Sequence, residues 1–484
     1  MSPDFWIRGG MLLYVALMLG IGIVCSRYMK SLDDYVLGGR RLGPWVAAVS
    51  ERASGESAWF LLGLPGAAYT LGFTEYWSVI GIAGGILTSW TFIAMPLRRA
   101  TAQMGALTLS DYFELRFNDR SRLLRMISMI SILFFYTAYV AAQLFAAGKI
   151  LNAAFDIEPI WGIAIGLTVV VCYTLLGGFL AVAWTDLFQG LLMTAVAVVL
   201  PAVGLIAIGG PGALAEKLSV RGPEFLSISG GKVGGAFLLG VVVGGLSWGL
   251  GYLGQPHLLT RYMAIRRTSE LRKAGLIAMG WTLLSYWGAP MIGIVAVVLL
   301  GPDVADPEQV MPLLAKKLMP GLIAGLMIAG ATAAMMSTAD SQLLVATSTL
   351  VEDIYVRLLR PKSSPKRLVL LSRIATIFIA GIAFLLAYAA LLGSALIDTM
   401  VAYAWTGLGA SFGPPLVFSL WWSRTTREGV LAGMLGGMSA TIIWQNVPAL
   451  GRLLDIKAAA VLISAVLVLG ISLLTHRGGD GGRG

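Results

Sequence analysis

Charge is scarce in this chain of 484 residues. Lys, Arg, Asp and Glu together make up 12%, about half the ~25% of an ordinary soluble domain. A soluble globular enzyme and a disordered chain are both excluded on that ground. Cysteine and histidine number two each. Cys25 and Cys172 both sit in apolar runs, so neither a disulfide framework nor a cysteine metal site is expected. The first apolar run follows Arg8 and lacks a small-residue cleavage pattern, so it reads as a retained span. Nucleophile, base and metal constellations are missing too, so no enzyme is expected. What is abundant is apolar side chain, at 57%, and glycine, at 60 residues. Together these indicate a polytopic membrane protein, in whose packed spans glycine is tolerated.

A helix crosses the bilayer with about 20 apolar residues. Thirteen such runs are present, near 6–26, 45–70, 76–97, 124–152, 159–176, 181–208, 234–257, 274–300, 319–350, 368–391, 396–422, 429–447 and 456–475. The fifth and sixth touch at Gly177-Gly178. The net charge of +10 tests this map. Placed in alternate connections, twenty-five of the 35 basic residues, Arg261 among them, fall on one side and nine on the other. The basic side is cytoplasmic by the positive-inside rule, which puts the N-terminus outside and the C-terminus inside. The excess of base is therefore a topology signal, and no nucleic acid is expected as partner. Ser110 to Arg125 reads as a charged amphipathic cytoplasmic helix, and His257 beside Arg261 as a cytoplasmic end residue.

Five ionisable side chains fall inside spans: Glu51, Arg52, Glu56, Asp186 and Asp340. Such groups cost several kcal/mol at the bilayer centre. They mark either a transport pathway or buried ion pairs that only hold helices together. Their clustering with Gly, Ser and Thr favours the pathway. The second span carries the densest string, Ser50-Glu51-Arg52-Ala53-Ser54-Gly55-Glu56-Ser57. An interrupted helix suits it, because freed carbonyls and hydroxyls can coordinate a cation. The ninth span offers Ser337, Thr338, Asp340 and Ser341, an all-oxygen set of the kind hard cations prefer. Hydroxyls bonded back to their own helix would explain one of these but not four. Asp186, near the cytoplasmic end of the sixth span, is either functional or a boundary carboxylate.

The seventh span, Ser247 to His257, holds four glycines and Pro256, a poor continuous helix. Trp248 and Tyr252 share one face there, two aromatic walls for a small amphipathic solute. In the fourth span Tyr136, Tyr139 and Gln143 share a face. Spans two and seven are both interrupted and stand five spans apart, the pointer to an inverted-repeat transporter. Residues 1–42 would form the first span and a cytoplasmic loop, 43–232 and 233–425 the two five-helix repeats, and 426–484 two last spans and a short tail.

Six ordered motifs carry a specific resemblance. They are Asp34 to Pro44 (DYVLGGRRLGP), Gly63 to Ala67 (GLPGA), Gly177 to Asp186 (GGFLAVAWTD), Trp248 to His257, Met336 to Thr338, and Tyr403 to Pro414. Over Met11 to Leu474 the chain resembles the sodium/solute symporter family, and within it the bacterial sodium/proline symporters. The resemblance implies an all-α fold of thirteen spans around a five-plus-five inverted-repeat, leucine-transporter-like core. It implies a sodium ion held by carbonyls at Ala53, Glu56 and Ala334 and by the hydroxyls of Ser337 and Thr338. It implies a proline pocket of Trp59, Tyr139, Trp248, Tyr252 and Pro256, to which spacing adds Gln143. Asp186 matches a carboxylate of a second cation site in some members, with Asp340, Ser341 and Glu51 as further candidates. Proline members carry an aspartate where this chain has Gly55, and Glu51, Arg52 and Glu56 are extra charges. Glu51 stands one turn away to replace the missing carboxylate, and Glu56 stands to neutralise Arg52. The rival arrangement puts the Arg52 guanidinium in the cation position, for sodium-independent or proton-linked transport.

The expectation is a multi-pass symporter of the cytoplasmic membrane, taking up a zwitterionic solute, proline first, with sodium. No organic cofactor and no obligatory protein partner are expected. A carrier for another amino acid or carboxylate, or a non-transporting sensor of the same fold, are the alternatives.

Overall fold

The computed structural model describes residues 3–26, 37–359 and 364–476. Helix occupies each of the thirteen expected segments. Among the described residues there is no strand, only an isolated bridge between Leu42 and Ile265. Residues 34–36 of the Asp34 motif, and basic residues Arg27, Lys30, Arg360, Lys362, Arg477 and Arg483, lie outside the described residues.

Nine described stretches are long and apolar enough to cross a bilayer unaided. One of them, Pro44–Met104, contains two passages, because only a short turn at Gly72–Glu75 parts the second span from the third. Pro159–Cys172 is apolar but shorter. Ile397–Trp421 and Arg427–Asn446, diluted by glycine and polar residues, complete the thirteen. Large apolar side chains such as Leu283, Phe378, Leu385 and Val466 stand exposed on these helices. On a chain that spans a bilayer, that surface meets lipid.

Three breaks shape the core. The second span runs helically as Pro44–Ala58 except at Ser57, whose φ of 56° and ψ of 179° no helix contains. A wide turn, Trp59–Gly63, follows, and helix resumes as Leu64–Leu71. The seventh span tightens to 3₁₀ geometry over Ser247–Leu253, loses helical form at Gly254 and Gln255, and restarts at Pro256. Proline has no N–H to donate, which suits it to the first position of the restarted helix. Gly178, with φ 54° and ψ −167°, parts the fifth span from the sixth inside Pro159–Ile208. A side chain there would be strained.

The broken second span packs against the sixth, eighth and ninth, and the 3₁₀ stretch of the seventh against the third and eleventh. The first span lies on the sixth and ninth, and the last two pair with each other on the eleventh. Glycine permits the closest crossing. A Cβ at Gly249 would collide with the Gly81 carbonyl, and one at Gly85 with the Gly249 backbone. Below the breaks, Leu42 N–H donates to the Ala264 carbonyl at 3.2 Å, tying the entry of the second span to the exit of the seventh.

Two expectations are corrected here. The helix expected over 110–125 is only Leu109–Arg116, begun by a capping box between Thr108 and Asp111. The chain then turns through Asn118, at φ 46°, before the fourth span starts at Leu123. Asp119 enforces that turn by accepting from Ser121 N–H at 3.1 Å and Leu124 N–H at 2.8 Å. Arg125 does not face solvent. It is buried among Asp111, Glu114 and Asp353. Arg261 and His257 are not end residues either, and both are fully buried. Charge sorting could not see this, because the broken seventh span continues helically to Ala264. Twenty-four basic residues remain on the basic side once Arg261 is removed.

Candidate functional site

Polar groups gather where the second span breaks. Ser337 Oγ donates to the Ala53 carbonyl at 2.9 Å and is 3.2 Å from the Ala334 carbonyl. Thr338 Oγ1 donates to the Ser54 carbonyl at 2.9 Å. These five oxygens come from the two sides of one helix crossing, and both hydroxyls are fully buried. Of the sequence-expected cation ligands, Ala53, Ala334, Ser337 and Thr338 are thus brought together. The Glu56 carbonyl instead accepts from Trp59 N–H across the break. Ser54 takes its place opposite Thr338. Sequence spacing could not separate the two carbonyls, because only the turn at Ser57 brings Trp59 N–H back onto the Glu56 carbonyl and leaves that of Ser54 to Thr338.

Two buried arginines flank this crossing, and they do different things. Arg52 forms ion pairs with Glu51 and, at 3.0 Å, with Glu56. Its guanidinium lies 4.9 Å from the Tyr252 ring centre. Trp90 and Tyr262 donate to Glu51, at 3.1 and 3.3 Å. Tyr252, at 3.3 Å, and Tyr286 donate to Glu56. All partners therefore lie on the second, third, seventh and eighth spans. The guanidinium turns to these carboxylates, and the Ser337 and Thr338 hydroxyls turn to the backbone of 53 and 54. A Cβ at Gly55 would meet the Leu258 methyls at 3.3 and 3.4 Å first, with Arg52 Nη2 3.6 Å away.

Arg261 reaches across the break from the other side. Its Nη2 lies 3.0 Å from Asp186 Oδ2, 2.8 Å from Ser54 Oγ and 2.6 Å from Ser341 Oγ. Its Nε donates to Ser50 Oγ at 3.1 Å and its Nη1 to the His257 carbonyl at 2.7 Å. Asp186 also accepts from Ser50 and Ser54, each at 2.7 Å. Asp340 accepts from Ser341 at 3.1 Å. A guanidinium thus sits among the carboxylate and hydroxyls expected for a second cation. His257 completes this layer, with Nε2 3.1 Å from the Ser54 carbonyl and Nδ1 2.9 Å from Tyr136 Oη. Ser50 and Arg261 were absent from the sequence-expected site. Only the position of Arg261, four residues beyond His257 on a restarted helix, signalled it.

Beyond the break lies a small aromatic pocket. Glu56, Ser57, Trp59, Tyr139, Trp248, Tyr252 and Trp405 line it, and about 10 Å³ is free within it. Trp59 and Trp248 rings meet at 4.4 Å, tilted by 33°, and Tyr252 meets Trp405 edge to face at 4.6 Å. Four of the expected solute residues, Trp59, Tyr139, Trp248 and Tyr252, are here. Gln143 is not a wall; its Oε1 accepts from Ala58 N–H at 2.9 Å and holds the break open. Pro256 lies beside a separate small cavity with Thr260, Leu344 and Ser348. Trp405 was missed although it sits in a quoted motif, since nothing in its spacing distinguished it from core packing.

On the far side of the pocket, Trp59 Nε1 donates to Asp398 Oδ1 at 2.7 Å. Glu308 positions that carboxylate by accepting from Ile397 and Asp398 N–H, both at 3.0 Å, while Lys149 pairs with Glu308 at 2.6 Å. Burial holds the Glu308 carboxyl above the usual range although Lys149 pulls it down.

This geometry can be set beside known proteins. A model described as "Sodium:solute symporter family" matches residues 35–437. The high-affinity proline transporter PutP of Bacillus subtilis is 40% identical over 436 residues, 89% of this chain and 90% of that protein. The sodium/proline symporter of Escherichia coli is 38% identical over 449 residues, 90% of this chain and 87% of that one. Among solved structures, an outward-open, substrate-bound Na+-coupled sialic acid symporter superposes with a TM-score of 0.80 at 21% identity, covering 98% of both chains. Mhp1, a nucleobase-cation-symport-1 family transporter, gives 0.53 at 14% identity, over 91% of this chain and 95% of that one. These two likenesses concern the fold alone, a leucine-transporter-like core.

Proposed function

Because the chain belongs to the sodium:solute symporter family, and is a multi-pass membrane transporter and not an enzyme, we propose that it takes up proline together with sodium by alternating access. The observation that carries this reading is the crossing of the second and ninth spans. Two hydroxyls there point at carbonyls freed by a helix break. A sodium ion takes the place of the shared protons: the hydroxyls rotate their hydrogens outward and present lone pairs, and the carbonyls of Ala53, Ser54 and Ala334 complete an all-oxygen shell. Glu56, named in the sequence reading as a carbonyl ligand, contributes its side chain to the Arg52 network instead.

The aromatic pocket supports proline as solute. Its ring would lie between Trp248, Tyr252 and Tyr139, and its carboxylate near the amides of the broken second span. The conformation here has no room for a solute, so loading requires the Trp59–Trp248 pair to part. The two arginines support the direction of movement. Arg52 binds only spans two, three, seven and eight, which we read as one rigid bundle. Arg261 links that bundle to the sixth and ninth spans, and those bonds must break when the cytoplasmic side opens.

Coupling to one sodium is the further part of this reading. Arg261 already supplies positive charge to Asp186, Ser54 and Ser341. Residues 43–232 and 233–425 would be the two repeats, with the N-terminus outside and the C-terminus in the cytoplasm. The test is uptake of labelled proline into proteoliposomes. We expect accumulation with an inward sodium gradient and near-background counts without it. Equal uptake in sodium-free buffer would sink the reading in favour of sodium-independent transport.

A further inference from the structure

Among the described residues that line the small aromatic pocket, Glu56 alone carries a charge. The others are apolar, aromatic or hydroxyl-bearing. Glu56 is held just before the break at Ser57. Its Oε1 accepts from Arg52 Nη1 at 3.0 Å, and its Oε2 from Tyr252 at 3.3 Å and from Tyr286. An ionised carboxylate offers about four acceptor sites, so Oε1 keeps one in reserve. Glu51 takes the rest of the same guanidinium, through Nε at 2.6 Å and through Nη2. With all three groups ionised, two carboxylates face one guanidinium, and the cluster keeps a surplus negative charge. Arg261 does not answer it, being committed to Asp186 on the other side of the crossing. An uncompensated charge is expensive inside a membrane, and its retention points to a cation that arrives with function.

A zwitterionic solute brings one such cation. Its carboxylate has backbone amides to meet at the broken span, but its ammonium needs an anion, and a buried ammonium left unpaired is costly. We propose that Glu56 is the specificity-determining residue for the nitrogen of the solute, accepting a charge-assisted hydrogen bond from the ammonium of an α-imino or α-amino acid on Oε1. The bond removes the surplus charge of the cluster as the solute loads. Arg52, Tyr252 and Tyr286 fix the carboxylate beforehand, so little ordering is left to binding. The sodium shell at the second and ninth spans is built of neutral oxygens, which leaves this anion to the solute. Glu56 is one of the extra charges of the second span, so the preference belongs to this chain's own sequence.

This inference rests on the transport reading, and the test separates the two. The probe is tetrahydrofuran-2-carboxylate, which has the ring and carboxylate of proline but an ether oxygen in place of the ammonium. Displacement of labelled proline from purified protein in saturating sodium gives the affinity for each compound, and uptake of proline is measured on the same preparations. The wild type should bind proline at least about 100-fold more tightly than the ether, because a site built to bond an N–H rejects the analogue that lacks it. In Glu56→Gln, whose amide can donate to the ring oxygen, the preference should fall to about tenfold or less. Glu56→Asp keeps the charge and should keep most of the preference. A residue that only braced the bundle would weaken both compounds alike. An unchanged preference in Glu56→Gln therefore overturns the inference. So does a wild-type preference below about threefold, a result that needs no variant to fold. Sodium-driven uptake of proline in either case leaves the transport reading standing. A preference lost in Glu56→Gln, with no accumulation of proline by the wild type, keeps the ammonium site and overturns the transport reading. No binding of proline overturns both.

Discussion

Arg52 and Arg261 are both fully buried, yet their deletion should read out differently. Breaking a buried ion pair by removing one partner costs about 3–5 kcal/mol. Arg52→Met strands two carboxylates inside the bundle, so it should lower thermal stability in detergent by that order. Glu56→Gln leaves the Arg52–Glu51 pair and should cost less than half as much. Thermal unfolding of the two variants side by side measures this, and equal losses would contradict a shared network. Arg261→Gln, by contrast, leaves Asp186 uncompensated at the bundle's sliding face. Uptake should fall at least about 100-fold, equivalent to roughly 3 kcal/mol. Asp186→Asn combined with Arg261→Gln should recover part of that loss, a coupling visible in a double-mutant cycle. The sequence announced Arg52, because a charge in an apolar run is conspicuous. It concealed Arg261, which lies inside a proline-restarted helix and resembles any basic residue at a span's end. Glu51 and Glu56 were legible as buried charges, but their partners Trp90, Tyr262 and Tyr286 lie 39 or more residues away, and no local pattern joins them.

At the scale of elements, the breaks were readable and their geometry was not. Glycine and serine density marked spans two and seven, but not the residue, Ser57, at which the second span breaks. Three residues before that break, the Ser54 carbonyl stands opposite Thr338. The third and seventh spans test the packing account. Gly249→Ala would drive a methyl into the Gly81 carbonyl, whereas the space around Gly84 is open. Overpacking costs typically 1–3 kcal/mol, while alanine favours helix over glycine by about 1 kcal/mol. Gly249→Ala should therefore lose several degrees of melting temperature and most uptake. Gly84→Ala should leave both unchanged or slightly raised. The short helix Leu109–Arg116 shows the opposite failure of reading. Its charge suggested solvent, yet Arg125 is committed to Asp111, Glu114 and Asp353, a network only tertiary packing creates.

At the scale of the molecule, hydropathy and charge sorting were enough to expect thirteen spans and their order, because a bilayer leaves a helix few alternatives. Orientation is checked by labelling. In a chain freed of Cys25 and Cys172, a cysteine at Val220 should react with an impermeant reagent on intact cells. One at Ser423 should react only after permeabilisation. The reverse result would invert the map. Rocking of one bundle around a fixed midplane site gives the two arginines separate duties, and it makes the sodium shell at the second and ninth spans the centre of the account. Sodium activation of proline uptake in Ser337→Ala and Thr338→Ala tests that centre most directly. The account predicts first-order activation in the wild type and a sodium requirement raised at least tenfold in each variant, with the variants folded by size-exclusion profile. Unchanged half-activating sodium in both variants would contradict it.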